Sequence, residues 1–574
     1  QLSKNEEDLF NLIKEHFDNI IILINSGNIF QCDMFENDDQ VKGILWMGTP
    51  GAVGAGAVGR ILRGTVNPSG HTVDTWVRDF TKDPTFQNFS DNSQTNPIYD
   101  DDGNLVKYSP QDTMFNPDGS AVRADGSYKG APKWEDKENL VVKAGLNGVR
   151  PSAYVAYEEG IYDDYRYYET RYADMAKKSK KAADDWYNSE YGVIYPFGYG
   201  LSYTTFSQKI ISCTKAGKSL SDPKEKMTVR VEVTNTGDWE GKDVIQLYWK
   251  APYKKGGIEK AYETLAAFDK TDVINPGESK TYDLEFYIAD VANYDFADKN
   301  NNGFMGYELD AGNYEVSINK NAHEVYDYCK FSVANGGIKF ENDRITGNKV
   351  ENRFSGQDFY SSLPTENDIG FQQFSRSNFE ETMPTAPTVE ERTLKEGSRV
   401  EEFYKYAFKL EDFENGNYEY VPEAAHKTKE DIEALGWSQV KTAKSKADSI
   451  QITEMVGLDL EDPKWELFMN DLTWNEMISF VAGGGTHNPA IDRCGKPSTG
   501  DSDGPSQFQT IWWVGAPIVA ATYNVELGYE QGEMVGIEGK LSGTYGWAGP
   551  GVNLHRSPFG GRNFEYYSAD PVLS

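Results

Sequence analysis

The spacing best suited to cofactor chemistry is that of Gly54, Gly56 and Gly59, which form the pattern G-x-G-x-x-G between a predicted strand and a predicted helix. In dinucleotide-binding domains, such glycines bring backbone N–H groups at a helix N-terminus close to a pyrophosphate. Here the first glycine follows its strand by several residues, and a turn at 67–70 precedes any second strand that ends in an acidic residue. We therefore expect the glycines to serve close packing of the helix, and the sequence predicts no cofactor.

A second pattern resembles the start of a calcium-binding loop. Side chains with oxygen atoms alternate through Asp298, Asn300 and Asn302, and Gly303 follows them. The twelfth position of such a loop supplies a bidentate carboxylate, but here that position is Leu309. We therefore expect a polar turn at this place, and the sequence predicts no metal site.

The histidines and cysteines add no ligand pattern. The six histidines form no HExxH motif and no cluster with acidic residues along the sequence, so neither a zinc site nor a serine triad is indicated. His555 is the only histidine in a stretch rich in residue types that are common in functional sites. Even so, we expect it to be a core histidine that is hydrogen-bonded to the backbone. Cys32, Cys213, Cys329 and Cys494 lie far apart in the sequence, so we interpret them as isolated thiols.

Composition limits the partners of the chain. The 90 Asp and Glu residues outnumber the 57 Lys and Arg residues and give a formal net charge of -33, which would repel a phosphate backbone and excludes nucleic acid. No apolar run approaches the roughly 18 residues that a membrane helix needs. Because the chain begins with Gln1 rather than Met, an upstream signal or anchor is compatible with it. Secreted, cell-associated and cytoplasmic locations are therefore all open.

The elements at the start of the chain alternate between helix and strand. Apolar residues recur at helical spacing over Asn5 to Phe17, and the apolar run from Ile20 to Ile24 predicts a buried strand. A second strand is predicted at 44–47 and a helix around 58–62, which together indicate α/β architecture. From about 88 to 151, Asp, Asn, Ser, Gly and Pro dominate and predict a long insertion of turns.

The middle of the chain has the period of β-strands. From Met227, apolar and polar residues alternate in short runs separated by turn residues, which predicts a β-sandwich of the fibronectin type III kind that ends near Val333. The acidic stretch 334–462 has weak periodicity, so we expect an extended linker with a local helix at 428–435. Helix and strand patterns return after it, with many glycines.

Several segments, in order along the chain, resemble signatures of family 3 glycoside hydrolases. In the α/β part these are ILINSGN, ILWMGTPGAVGAGAVGRILRGTVNPSGH, YEEGIYDDYRYYETRY and YPFGYGLSYTTF, at residues 22–28, 44–71, 157–172 and 195–206. The stretch VTNTGDWEGKDVIQLYWKAP (233–252) is similar to the fibronectin type III domain of many β-glucosidases. Finally, DSDGPSQF (501–508), AATYNVEL (520–527) and the end of the chain (549–574) resemble the opening of the family's (β/α)8 barrel.

The resemblance implies a multidomain α/β plus β chain with a permuted domain order. The expected domains are a partial α/β sandwich of the family's C-terminal type (1–210), a fibronectin type III-like β-sandwich (211–333), the linker (334–462) and an incomplete barrel (463–574). A complete (β/α)8 barrel takes roughly 250 residues, so 463–574 corresponds to less than half of one. We therefore expect further sequence at both ends, or a complementing chain segment; a homodimer is the other arrangement considered.

The same resemblance implies a function and two substrate-binding residues. It indicates an exo-acting, retaining β-glucosidase that hydrolyses terminal β-D-glucosyl residues of cello-oligosaccharides or β-glucosides. The family's Asp nucleophile and Glu acid/base match no residue here, so we place no catalytic residue in this chain and expect it to be inactive alone. Asp503 matches the family aspartate that accepts sugar hydroxyls, and Arg562 matches the arginine of its GR-x-x-E motif. A carboxylate and a guanidinium both suit a polyol.

Alternatives remain at each level. Asp503 could instead cap a turn at Gly504, and Arg562 could pair with Glu565, while Arg556 is interpreted as structural. Asp rather than Glu at position 503 favours a hexose, but β-xylosidase and N-acetylglucosaminidase are the competing activities within the family. A non-catalytic carbohydrate-binding member is a further alternative. Ala569 departs from the Glu usual before Asp-Pro, which puts a local ion pair in doubt.

Overall fold

The chain forms two compact units. The structure is a computed structural model that describes residues 2, 4–86, 97–99, 105–108, 157–352, 374–385, 445–483, 485, 487–504, 513–558 and 560–574. Unit 1 comprises Gln1–Arg399, Val514–Val525 and Val552–Ser574, and unit 2 comprises Val400–Trp513 and Glu526–Gly551. Most of the predicted insertion at 88–151, much of the predicted linker and the helix predicted at 428–435 lie outside the described residues.

The start of unit 1 has the predicted order of helix and strand. The elements up to residue 108 are, in chain order, α1 (Lys4–Lys14), β1 (Ile20–Ile24), α2 (Asp33–Glu36), β2 (Val41–Trp46), α3 (Ala55–Leu62), β3 (Trp76–Val77), β4 (Pro97–Tyr99) and β5 (Leu105–Tyr108). β1 and β2 pair in parallel, and β4 and β5 form an antiparallel hairpin inside the predicted insertion. Ile24 packs with Phe35 and Trp76 in a core that fixes the sheet edge. The strand predicted at Ile20 to Ile24 is confirmed, but its predicted burial is wrong for Ile21 and Leu23, which are 52% and 44% exposed in the described part of the chain.

The expectation that the glycines of α3 serve close packing is wrong for two of them. Within the described residues, no heavy atom lies within 4 Å of a Cβ built on Gly56 or Gly59. Every residue of α3 is at least partly exposed, so no neighbouring element approaches these positions. Gly54 has a local role instead, because a Cβ there would lie 2.0 Å from the carbonyl oxygen of Pro50.

A Tyr-rich helical pair follows. Its elements are α4 (Tyr165–Ala176), α5 (Lys180–Tyr187) and β6 (Val193–Tyr195), and β6 pairs antiparallel with β3. The Asp164 carboxylate caps α4 and also accepts from the Thr75 hydroxyl at 2.6 Å, which joins the helix start to the strand region. Ser179 caps α5 through the backbone N–H of Ala182. Tyr165, Tyr167 and Tyr168 are fully buried on α4.

The β-sandwich predicted from alternating residues is present. Its strands are β7 (Phe206–Cys213), β8 (Ser219–Leu220), β9 (Lys226–Asn235), β10 (Val244–Lys250), β11 (Thr264–Lys270), β12 (Ser279–Tyr287), β13 (Asn293–Asp295), β14 (Gly306–Leu309), β15 (Gly312–Asn319), β16 (Val325–Val333) and β17 (Ile338–Phe340). They form three sheets with the orders β11-β10-β15-β16-β8, β12-β9-β7 and β13-β14-β17. The multidomain α/β plus β fold class is therefore confirmed, while the exact domain boundaries stay a prediction.

Strand β10 lies between two cores, and all seven of its residues are buried. Leu247 and Trp249 face the interior of the sandwich. Tyr248, on the opposite face, packs with Tyr165 of α4 and with Tyr523 from the last part of unit 1. This strand thus holds the sandwich, the Tyr-rich helix and the C-terminal residues of unit 1 together.

The interpretation of all four cysteines as isolated thiols is wrong. Cys213 in β7 and Cys329 in β16 form a disulfide, with a Cα–Cα distance of 6.8 Å across 116 residues of sequence. The two strands belong to different sheets, and the closure of the sandwich brings them side by side. Cys32 and Cys494 are free and buried, and burial raises the pKa of the Cys32 thiol to about 12.

Unit 2 contains a β-α-β arrangement of the kind repeated in a (β/α)8 barrel. The elements of this later part of the chain are α6 (Pro463–Asp471), α7 (Trp474–Ala482), β18 (His487–Asn488), β19 (Thr499–Asp503), α8 (Ala516–Ala520), α9 (Val525–Ser542) and β20 (Thr544–Ala548), of which α8 belongs to unit 1. β19 pairs in parallel with β20 and antiparallel with β18. Among the helices that the structure describes, none is long and apolar enough to cross a membrane.

Candidate functional site

A cavity of about 1060 Å³ in unit 1 is the candidate site. Its wall comes from three places: the segment before and at the start of α4, the strands β11 and β13 of the sandwich region, and the C-terminal stretch 553–571. Several of its side chains are charged or aromatic, and the argument below rests on Tyr157, Glu159, Asp163, Arg166, Arg556, Arg562 and Glu565. The cavity is large enough for a small organic ligand.

A buried ion pair joins two parts of the cavity wall. Two nitrogens of the Arg556 guanidinium donate to the Glu159 carboxylate. Nε donates to one carboxylate oxygen, and one Nη donates to the other at 2.8 Å. Both side chains are almost fully buried, and the guanidinium also lies 4.3 Å from the centre of the Tyr157 ring. This bidentate contact fixes the C-terminal stretch against the segment that leads into α4. The interpretation of Arg556 as structural agrees with it.

A second buried pair lies beneath the cavity. Arg166 of α4 donates to Asp570 at 3.2 Å and to the carbonyl oxygen of Ala569 at 2.9 Å. The Tyr165 hydroxyl donates to the same Asp570 carboxylate at 2.7 Å. The ion pair at this turn is therefore formed by Asp570 and Arg166, and Ala569 contributes only its backbone.

Asp163, a residue of the cavity wall, has a carboxyl oxygen that is buried without a partner. Its Oδ1 is buried and has no hydrogen-bond partner among the residues that the structure describes. Burial raises the pKa of Asp163 well above its ordinary value, and the nearby Arg166 only partly opposes this effect. Burial thus disfavours the charged form of this carboxyl.

Arg562, one of the two predicted substrate-binding residues, lines this cavity. Its side chain is 76% exposed, and its Nη1 donates to Glu565 at 3.4 Å. The loop that carries it is anchored by Asn28, which donates to the carbonyl oxygen of Gly560 at 3.0 Å. The contact with Glu565 is the one that the structural alternative expects, but it leaves most of the guanidinium free for a ligand. The substrate role of Arg562 stays a prediction.

Asp503, the other predicted residue, lies in unit 2. It is the last residue of β19, and its side chain is exposed. Its Oδ1 accepts from the backbone N–H of Gly504 at 2.8 Å, as expected of a turn cap. A carboxylate at the carboxyl end of a parallel strand also has the position typical of ligand-binding residues in a (β/α)8 barrel. The structure places the two predicted residues in different units, and the role of Asp503 also stays a prediction.

The sequence did not single out Glu159 and Asp163. Both belong to the segment 157–172 that carries a family signature, but no chemical role was assigned to them. The available signal was the presence of acidic residues inside a Tyr-rich stretch, because acids in a buried segment must be paired or protonated. Their partners come from elsewhere in the chain, which sequence spacing could not reveal.

The electrostatics of the wall suit an uncharged ligand with many hydroxyl groups. The wall charges occur as the pairs Glu159 with Arg556, Arg166 with Asp570, and Arg562 with Glu565. A wall of paired charges presents donors and acceptors without a strong net field. Sugars have this hydrogen-bonding character.

The domains of the chain define the class of protein. Residues 1–110 match the glycosyl hydrolase family 3 C-terminal domain, and residues 243–322 match the fibronectin type III-like domain. The chain therefore carries a domain that matches the glycosyl hydrolase family 3 C-terminal domain, followed by one that matches the fibronectin type III-like domain.

Two relatives align with the whole chain. It is 27% identical to "Beta-glucosidase A" of Butyrivibrio fibrisolvens and 24% identical to "Beta-glucosidase" of Ruminococcus albus, with all of this chain and 58% and 47% of those proteins covered. The chain thus spans about half the length of these curated relatives. The β-glucosidase of Paenibacillus barengoltzii has a similar fold, with a TM-score of 0.55 at 21% identity over all of this chain and 50% of that one.

Proposed function

We propose that this chain is part of an exo-acting β-glucosidase that releases terminal β-D-glucosyl residues from cello-oligosaccharides or other β-glucosides. The observation that carries the proposal is the alignment of the whole chain with two proteins named β-glucosidase. The neutral, hydroxyl-compatible cavity of unit 1 supports an uncharged sugar as the ligand.

In this proposal, Asp503 and Arg562 are each a substrate-binding residue of their own unit. A carboxylate such as that of Asp503 can accept from two adjacent sugar hydroxyls, and an exposed guanidinium such as that of Arg562 can donate to a sugar hydroxyl. Asp503 is shorter than the glutamate expected for a pentose-specific enzyme, so it leaves room for the extra hydroxymethyl group of glucose. Neither residue takes part in bond cleavage.

The proposed chemistry is retaining glycoside hydrolysis. An Asp nucleophile attacks the anomeric carbon while a Glu protonates the leaving oxygen, and water then cleaves the covalent glycosyl-enzyme. We assign neither carboxylate to a residue of this chain. The chain contributes the binding and positioning groups, and the isolated chain is expected to bind sugar without turning it over.

The test compares aryl glycosides on the longer polypeptide that the proposal requires. Rates of p-nitrophenol release are measured with the β-glucoside, the β-xyloside and the N-acetyl-β-glucosaminide. The β-glucoside is expected to have the highest kcat/KM. A faster β-xyloside or N-acetylglucosaminide would reassign the specificity, and sugar binding without any turnover would identify a non-catalytic carbohydrate-binding protein.

Variants test the two binding residues. Asp503→Asn and Arg562→Ala each remove a charge-assisted hydrogen bond worth about 1.5–3 kcal/mol, so kcat/KM should fall roughly 10- to 150-fold. Arg230→Ala is the matched control, because Arg230 forms a similar pair with Asp283 on the exposed face of the sandwich. Wild-type kinetics in Asp503→Asn or Arg562→Ala would remove that residue from the proposed subsite.

A further inference from the structure

The loop between β13 and β14 is wound tightly around its own polar side chains. Asp298 and Asn301 have φ angles of 50° and 57°, and Gly303 has 75°, so the chain turns through the left-handed region three times. The Asp298 carboxylate accepts from the backbone N–H groups of Asn302 at 2.8 Å and Gly303 at 3.1 Å. This winding places alternate side chains on the inside of the loop.

Two amides and two carboxylates meet inside this loop. The side-chain amides of Asn300 and Asn302 both contact Oε2 of Glu308, at 3.0 Å and 2.5 Å. Asn300 also contacts Oδ1 of Asp310 at 3.0 Å. The acidic residue absent from the twelfth position of the sequence pattern is thus supplied by Glu308, one position earlier, at the end of the short strand β14.

One oxygen of this group has no partner. Oε1 of Glu308 is buried and forms no hydrogen bond with any residue that the structure describes, and the whole side chain is only 1% exposed. The other oxygen of the same carboxylate contacts both amides, so the unpaired oxygen belongs to the same group of polar side chains. A buried carboxylate oxygen without a donor is costly, and a bound cation would satisfy it.

The charges around the loop favour a cation. The carboxylates of Asp295, Asp298, Glu308 and Asp310 lie in or beside it, and Asp295 and Glu308 are almost fully buried. Two ammonium groups offset part of this charge: Lys260 contacts Asp310 Oδ2 at 2.5 Å, and Lys339 donates to the carbonyl oxygen of Asn302 at 3.1 Å. The side chain of Lys299 is exposed. The carboxylates therefore outnumber the contacting ammonium groups.

The ligand types indicate which cation fits. Among the described residues, no group of three His, Cys, Asp or Glu side chains is placed to hold a metal ion, so a site here must also use amide oxygens. The amide oxygens of Asn300 and Asn302 accept from the backbone N–H groups of Asn302 at 3.2 Å and Phe304 at 2.8 Å, so a bound ion would have to replace these two hydrogen bonds. Carboxylate and amide oxygens without nitrogen or sulfur are the ligands of Ca²⁺.

We propose that the loop from Asp295 to Asp310 binds one Ca²⁺ ion through Asn300, Asn302, Glu308 and Asp310. The ion fixes the ends of β13 and β14 against each other. Because Asn293 of β13 lines the cavity of unit 1, the ion also steadies one wall of the candidate site. This inference is independent of the sugar that the cavity binds.

Calcium titration of the metal-free protein tests the proposal. The chain is treated with EGTA, dialysed, and titrated with CaCl2 and separately with MgCl2 by calorimetry, and Tm is recorded at each metal concentration. Calcium is expected to bind with Kd on the order of 10⁻⁵ to 10⁻³ M and to raise Tm, with a weaker effect of magnesium. Absence of both a binding heat and a Tm increase with calcium would overturn the proposal.

Two variants and one control locate the site. Glu308→Gln removes a buried ligand, and Asn302→Ala removes a ligand at an exposed position where folding should be unaffected. Each should weaken calcium binding at least tenfold. Asp343→Asn alters a comparable turn in which Asp343 accepts from the N–H of Thr346, and it should bind calcium as the wild type does. Unchanged calcium affinity in a folded Asn302→Ala protein would exclude this loop as the site.

Discussion

The carboxylate of Asp74 lies 2.7 Å from Nδ1 of His555, although 481 residues separate the two in the sequence. The other ring nitrogen, Nε2, lies 2.9 Å from the carbonyl oxygen of Tyr566. Both ring nitrogens therefore face acceptors, which only the protonated imidazolium can satisfy at once. The expected backbone bond of His555 is confirmed, but its acidic partner could not be predicted from the residues near it in the sequence.

This contact makes the stability of unit 1 depend on pH. Burial alone would lower the pKa of His555, but the Asp74 carboxylate outweighs it, and the pKa lies above its ordinary value. The stabilisation is therefore fully present below the unfolded pKa of about 6.5 and is lost as pH rises through the higher folded value. Thermal unfolding between pH 5 and 9 should show a Tm difference between wild type and His555→Gln that is largest on the acidic side.

The exposed His16 provides the control for this measurement. His16→Gln should follow the wild-type Tm at every pH, since its side chain lies on the surface of the unit. Other titrating groups affect both proteins equally, so the difference curve isolates His555. A Tm difference that grows with increasing pH would contradict the assigned direction of the pKa.

Removal of one partner of the ion pair between Glu159 and Arg556 should lower the free energy of unfolding strongly. Truncation of Arg556 to Ala leaves the Glu159 carboxylate buried without its partner, at a cost of about 3–5 kcal/mol. Urea denaturation should therefore show a much lower unfolding free energy for Arg556→Ala. Arg230→Ala, which opens the exposed pair with Asp283, should change it little. Equal losses in the two variants would show that burial does not govern these pairs.

The disulfide predicts a definite thiol count. Unfolded but unreduced protein should contain two reactive thiols, those of Cys32 and Cys494, and four after reduction. Removal of the bond in the double variant Cys213→Ser, Cys329→Ser should lower the unfolding free energy by about 2–4 kcal/mol, because the bond closes a long loop in the unfolded chain. Four reactive thiols in the unreduced protein would contradict the pairing.

Local sequence patterns were sufficient to predict individual strands, but they could not predict which other elements pack against those strands. The apolar run at Ile20 to Ile24 predicted the strand β1 although Ile21 and Leu23 are exposed, and the alternation after Met227 predicted the inward face of β9. Strand β10 shows the limit. Its residue Tyr248 is buried because Tyr165 of α4 and Tyr523 pack against it, and neither is close in sequence.

Residues of the candidate site could be predicted from the sequence only where they belong to a recognisable sequence motif. Arg562 was identified in this way and does line the cavity. The partners Glu159 and Arg556 lie 397 residues apart, so their contact depends on the tertiary fold alone. Glu308 was missed because the calcium pattern was counted strictly along the chain, whereas β14 brings its side chain to the loop from the preceding position.

A glycine beneath the cavity loop gives the last prediction. A Cβ on Gly27 would lie 2.4 Å from the Cβ of Phe564, in the loop that carries Arg562, so Gly27→Ala must displace that loop or Gly27 itself. Such overpacking costs about 1–3 kcal/mol. Gly56→Ala is the matched control, because it adds a methyl group in open space on α3 and should stabilise the protein by about 0.5–1 kcal/mol. In urea denaturation, the free energy of unfolding should therefore fall for Gly27→Ala and rise for Gly56→Ala. A stabilised Gly27→Ala protein would show that the loop does not pack on Gly27.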